Sequence, residues 1–163
     1  MNDHTRSPLA GTRAPDFALP RSLHETVSLQ DVRGHTAILA FYPGDWEPVS
    51  CQQLVLYQEY LPEFHRFHAD LIGISVDTVW SHIALGRELG LTFPLLSDFH
   101  PKGYVSRAYD VYREEESWSG RALFVLDADE TVHWSRRYPT NLNPGVHSIL
   151  IALETLQHQQ MTR

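Results

Sequence analysis

At 163 residues with 42% hydrophobic content, the chain has the size of one domain that buries about two-thirds of its unfolded surface. Its net charge of -7, from 20 acidic against 13 basic side chains, argues against a nucleic-acid partner or an anionic membrane surface. No apolar run approaches the ~18 residues of a membrane span, and the opening MNDHTRSPLAG lacks the hydrophobic centre of a signal peptide, so a cytoplasmic protein without membrane contact is expected.

Residues 1–163 are expected to form one domain, with 1–12 and 158–163 loose at the ends. Phe17 to Leu19 reads as a short extended segment stopped by Pro20, and Leu23 to Leu29 as a surface strand leaving through a turn at Gln30 to Gly34. Thr36 to Tyr42 is an apolar run halted by Pro43-Gly44, the mark of a buried strand. From Cys51 onward Leu54, Tyr57, Leu61 and Phe64 recur at three and four, which predicts a helix that bends or restarts at Pro62. Leu71 to Val76 is a second strand, and Val79 to Leu89 a second helix ending at Gly90 with Ile83 and Leu85 toward the core. Strand, helix, strand, helix in so short a chain implies crossover connections and a sheet covered on both faces.

Phe93 to Asp98 reads as a short strand, Lys102 to Tyr109 as a short helix, and Glu114 to Gly120 as a polar loop. Ala122 to Leu126 and Thr131 to Arg136 form an antiparallel candidate pair. A last helix follows Pro144-Gly145, with Val146, Ile149, Leu150, Leu153 and Leu156 on one stripe. The only cysteine, Cys51, excludes an internal disulfide, a CxxC redox pair and a cysteine zinc site. The ten histidines, His82, His100 and His133 among them, are scattered without ligand spacing and read as surface or capping residues, so neither a metal nor a cofactor is expected.

Six stretches stand together: APDFALP at Ala14 to Pro20, LQDVRG at Leu29 to Gly34, FYPGDW at Phe41 to Trp46, LIGISVD at Leu71 to Asp77, TFPLLSD at Thr92 to Asp98 and RALFVLD at Arg121 to Asp127. In order and spacing they resemble the peroxiredoxins, in the branch of alkyl hydroperoxide reductases and bacterioferritin-comigratory-like proteins, over roughly residues 10 to 157. The resemblance implies an α/β thioredoxin fold of the peroxiredoxin type, with a mixed central sheet flanked by helices. It also implies a site built from a loop proline, a threonine or serine four places on, the peroxide-reducing cysteine seven places on, and an arginine opening a later strand. Pro43 and Arg121 stand at the first and last of these positions, whereas Glu47 and Ser50 hold the other two and Cys51 falls one place late. Ser81 stands where some relatives carry a resolving cysteine. Peroxide, an external thiol and a second copy of the chain, paired through Trp46 and Trp80, are the partners implied.

Peroxide reduction by a thiol needs a nucleophile ionised near neutral pH and a polar cradle for the O–O bond. A serine hydroxyl without an adjacent base is a poor substitute, and Ser50-Cys51-Gln52-Gln53 reads instead as a capping box with Ser50 closing the helix. Glu47 accepts hydrogen bonds without donating them and opposes a nearby thiolate; it complements the helix N-terminus or pairs with Arg121, a charge beside a buried strand that needs a partner. Cys51 is a displaced nucleophile or a small buried side chain. The primary expectation is a one-cysteine thiol peroxidase acting on hydrogen peroxide or small organic hydroperoxides through Cys51, with Arg121, Pro43, Glu47 and Ser50 around it. The alternative is a redox-inactive homologue with a binding or interaction role, in which Ser50 caps the helix and Glu47 pairs with Arg121.

Overall fold

The computed structural model describes residues 8–162. The first half holds β1 (Ala18–Pro20), β2 (Thr26–Ser28), a 3-10 turn (Leu29–Val32), β3 (Thr36–Phe41), α1 (Pro48–Arg66), β4 (Ala69–Ser75) and α2 (Val79–Leu89). The second half holds β5 (Leu95–Ser97), α3 (Tyr104–Ala108), β6 (Tyr112–Arg113), β7 (Trp118–Ser119), β8 (Arg121–Leu126), β9 (Val132–Tyr138) and α4 (His147–Met161). Five strands make one sheet in the order β5-β4-β3-β8-β9, parallel from β5 to β3 and antiparallel from β3 to β9. The mixed sheet and its flanking helices are those expected.

β3 lies at the centre because all six of its residues are buried, which suits a strand covered on both faces. Its alternate residues serve two cores. Ala37, Leu39 and Phe41 join Ile72, Ile74, Phe124, Tyr109 and the N-terminal Phe17 on one face. Ile38, Ala40 and Tyr42 meet the stripes of α1 (Leu54, Tyr57, Leu61, Phe64) and α4 (Ile149, Leu153, Leu156) on the other.

The sequence reading needs correction at three elements. Helix α1 starts at Pro48 rather than Cys51, because proline is well suited to the first helical position, and Glu47 is its N-cap. It runs unbroken through the exposed Pro62, so of the two expected alternatives the helix does not restart there. The expected polar loop forms the turn and second strand of a β6–β7 hairpin, with Tyr112 opposite Ser119 and Arg113 opposite Trp118. Gly120 lets this hairpin close: its N–H donates to the Val111 carbonyl at 2.6 Å, and a Cβ there would stand 2.9 Å from that oxygen.

At the N-terminal side, Gly11 and Ala14 donate to the carbonyls of Val132 and Glu130, and Arg13 and Arg33 both pair with the buried Glu130 carboxylate. Of the segments expected to be loose, residues 1–7 and 163 lie outside the described residues, while α4 runs to Met161.

Candidate functional site

Sheet register assembles the site. In the antiparallel β3–β8 pair, Phe41 faces Ala122, so the start of β8 lies beside the loop that leaves the C-terminal end of β3. Alternation along β8 sends Leu123 and Val125 into the core shared with α1 and α4, and Arg121, of the same parity, points to that side. The first turn of α1 presents Ser50 and Gln53, both fully buried, on the stripe continued by Leu54 and Tyr57.

Arg121 is 1% exposed, and all five of its N–H groups are committed to protein oxygens. Nε and Nη2 donate to the Thr140 carbonyl at 3.2 and 2.7 Å, and Nη2 also donates to Glu47 Oε2 at 2.9 Å. Nη1 donates to Gln53 Oε1 at 2.7 Å and to Ser50 Oγ at 3.2 Å. The Ser50 hydroxyl passes its own proton to Glu47 Oε2 at 2.6 Å. Gln53 is fixed in turn through the Tyr57 hydroxyl, which donates to the Gly145 carbonyl.

Glu47, not Ser50, caps α1: its carboxylate accepts from the N–H groups of Val49 at 2.9 Å and Ser50 at 2.8 Å. The capping box expected of Ser50 is absent because the helix begins two residues before it, which makes Ser50 an interior residue of the first turn. Burial is the largest single influence on the Glu47 carboxyl and opposes its ionisation. The hydrogen bonds from Ser50, Val49 and Arg121 together outweigh burial and hold the carboxyl below its ordinary value.

The expectation that Cys51 reduces peroxide is overturned. One helical residue turns the side chain by about 100 degrees, so Ser50 faces Arg121 and Cys51 packs, half-buried, against the α1–α4 core. Burial, and after it the Glu47 and Asp45 carboxylates, push the thiol above its ordinary value, which opposes the thiolate that nucleophilic attack requires. No guanidinium N–H remains to polarise an O–O bond. The peroxide and external thiol named as partners lose their basis with it.

Pro43 remains at the loop and lines a cavity of about 630 Å³, within the range of small-molecule sites. Glu47 and Val49 contribute from the cap and first turn of α1, Val76 and Asp77 from the end of β4, and Phe99 and Trp118 from the second half of the chain. Cys51 and Ser50 do not line it. Among the described residues no group of three or more His, Cys, Asp or Glu side chains could hold a metal ion.

Beneath this cavity lies a network that sequence reasoning missed. Asp45 accepts from the Tyr42 hydroxyl at 2.7 Å and faces His82 Nδ1 at 2.7 Å, with both the carboxylate and the imidazole buried. On its other side the His82 ring is held by the Leu96 carbonyl, 3.0 Å from Nε2, which can only accept. His82 is therefore a buried clasp between loop and helix, not the surface residue expected. The available signal was its place three residues before Leu85, which puts both on the buried face of α2.

The sequence profile described as the AhpC/TSA family matches residues 10–135. A peroxiredoxin of Thermoplasma volcanium is 29% identical over 153 residues, 90% of this chain and 74% of that protein. Alkyl hydroperoxide reductase E of Mycobacterium tuberculosis is 34% identical over 126 residues, 77% and 82% of the two chains. Among solved structures, the reduced 2-Cys peroxiredoxin of Plasmodium vivax superposes with a TM-score of 0.84 at 26% identity, covering 93% of this chain and 83% of that one. The AhpC of Mycobacterium tuberculosis gives a TM-score of 0.83 at 21% identity, covering 94% and 96%. The α/β fold is thus of thioredoxin type, with a mixed central sheet like that of these peroxiredoxin structures.

Proposed function

The chain belongs to the AhpC/TSA family, and from that premise we propose that it is a redox-inactive member, a single domain that uses the cavity beside Pro43 for binding and not for peroxide reduction. The observation that carries this reading is the full commitment of Arg121 to Glu47, Ser50, Gln53 and Thr140. A cradle for peroxide must keep donors free for the substrate until it arrives. Here the guanidinium is spent on structure, and the residue aimed at it is Ser50, which has no state corresponding to sulfenic acid. In this reading Ser50 occupies the position of the family's peroxide-reducing cysteine.

The same proposal includes a homodimer and a cytoplasmic address. Pairing is supported by Trp46 and Trp80, 51% and 64% exposed, large aromatics of the kind enriched at interfaces. The address is supported by a thiol without a disulfide partner, and no helix among the described residues is long and apolar enough to cross a membrane. The test of inactivity is the rate of sulfenic-acid formation by hydrogen peroxide in the parent and in Cys51→Ser. Both are expected to give the background rate, whereas rapid oxidation of the parent at Cys51, detected by mass spectrometry, overturns the proposal.

A further inference from the structure

Three acidic residues, Asp45, Glu47 and Asp77, contribute to the cavity, and their carboxylates are differently engaged. Glu47 is paired with Arg121, and Asp45 is clasped by His82. Asp77 has no cation: among the described residues no Lys, Arg or His nitrogen lies within 4.0 Å of it. Its Oδ2 accepts from the Asp45 N–H at 2.9 Å and the Ser75 hydroxyl at 2.6 Å. Among the described residues no protein donor reaches its Oδ1.

Apolar and aromatic side chains line the same cavity as Asp77, alongside Thr78, Ser81, Ser117 and Asn141. Val49 and Val76 line the cavity, and Phe99 and Trp118 do so while 49% and 40% exposed. Ring faces attract cations, most strongly where water is displaced. An unpaired carboxylate in a cavity with aromatic and aliphatic walls is complementary to a positive group carried on an apolar stem.

We propose that this cavity binds an organic cation, an ammonium or guanidinium group on an apolar stem, with Asp77 as counter-charge and Phe99 and Trp118 as aromatic walls. The inference rests on the reading of the cavity as a binding site and names the class of ligand it takes. Lys102 also lines the cavity, but it is exposed and its long stem lets the ammonium stand away in solvent. It acts as a competing cation at the rim, so its removal strengthens binding.

The probe is hexylamine, protonated at neutral pH, with hexan-1-ol as its uncharged twin, titrated at physiological ionic strength and followed by NMR at the Trp118 indole N–H and the Gly44 amide. Hexylammonium is expected to saturate at about tenfold lower concentration than hexanol, the contribution of one charge-assisted contact. Asp77→Asn keeps an oxygen for Asp45 and Ser75 while replacing Oδ1, and is expected to weaken hexylammonium about tenfold without moving hexanol. Lys102→Gln, at an exposed site that folding does not depend on, is expected to strengthen it severalfold. Equal saturation by the amine and the alcohol, or hexylammonium binding that neither substitution moves, overturns the inference.

A lysine-bearing tripeptide with blocked ends separates two sources of the same chemistry. Saturation below the free amine assigns the cation to a side chain of a partner protein, and saturation above it assigns a free amine. Failure of cation selectivity is distinct from failure of the inactive reading, because the latter is measured separately as oxidation of Cys51.

Discussion

Burial of a guanidinium is tolerated only when its charge and donors are answered, and at Arg121 Glu47 answers the charge while four residues answer the donors. Removal of one partner should therefore be costly. Arg121→Met is expected to destabilise the protein by about 3 kcal/mol, because Gln53, Ser50 and the Thr140 carbonyl lose their donor; urea unfolding that finds the variant unchanged contradicts this account. Glu47→Gln retains an acceptor but not the charge, and the partly exposed edge of Glu47 screens the effect to about 1 kcal/mol. The sign follows from the depressed carboxyl. Its contribution is complete above the ordinary value of 4.5 and is lost as pH falls below that through the lower folded value, so parent and variant should converge in acid. A stability difference that persists unchanged at low pH would show that the carboxylate is not the stabilising form. At this scale the Glu47–Arg121 pair was legible, since a charge opening an apolar strand needs a partner. The use of Thr140 and Gln53 was not, because a backbone carbonyl and one residue of a helical stripe leave no chemical signature in the sequence.

At the scale of elements, the position of α1 decides which residue meets Arg121. Periodicity located the stripe at Leu54, Tyr57, Leu61 and Phe64 but could not locate the start, because Ser50, with Gln53 three places on, matches a capping box as well as the true cap Glu47 does with Pro48 after it. The two-residue strands β6 and β7 were illegible for a related reason: two residues cannot display an alternation. The placement of Ser50 yields a gain-of-function test. Glu47→Thr, Ser50→Cys and Cys51→Gly together remove the oxygen partners of two arginine N–H groups, restore a hydroxyl donor, shorten the side chain between cavity and helix, and put a thiol on the stripe facing Arg121. Oxidation by hydrogen peroxide is expected to exceed that of the parent by about 100-fold or more, read as the second-order rate of sulfenic-acid formation. A triple variant no faster than Cys51→Ser would mean that the scaffold no longer supports the chemistry. Pro62 gives an independent test of the helix. Because it sits inside α1 on the exposed face, Pro62→Ala restores a backbone hydrogen bond at no packing cost and is expected to raise stability by about 2 kcal/mol after the greater freedom of the unfolded chain is counted. A lower urea midpoint would show that the proline is compensated in a way these contacts do not reveal.

For the molecule as a whole, the order of strands and helices was legible because long buried strands and amphipathic helices carry their periods openly, whereas the exposure of the tryptophans depended on the final packing. Trp46 follows the loop residue Asp45, and Trp80 lies in the first turn of α2, two residues before His82. The Asp45–His82 clasp and the hydrogen bond from the Asp45 N–H to Asp77 hold these two segments together, so the proposed dimer surface rests on a fixed base and not on two independent loops. Neither tryptophan lines the cavity, so pairing and ligand binding can be tested separately. Light scattering is expected to give twice the monomer mass of 18.7 kDa at high protein concentration. Trp80→Lys should shift the equilibrium toward monomer, since it puts a charge into the interface while its own site, already in water, loses nothing on the inside of the fold. The accompanying measurement is thermal unfolding at a concentration where the parent is monomeric, which should be unchanged in the variant. A parent that remains at the monomer mass from micromolar to near-millimolar concentration removes the dimer, and a variant that dissociates only because it unfolds would assign Trp80 to folding instead.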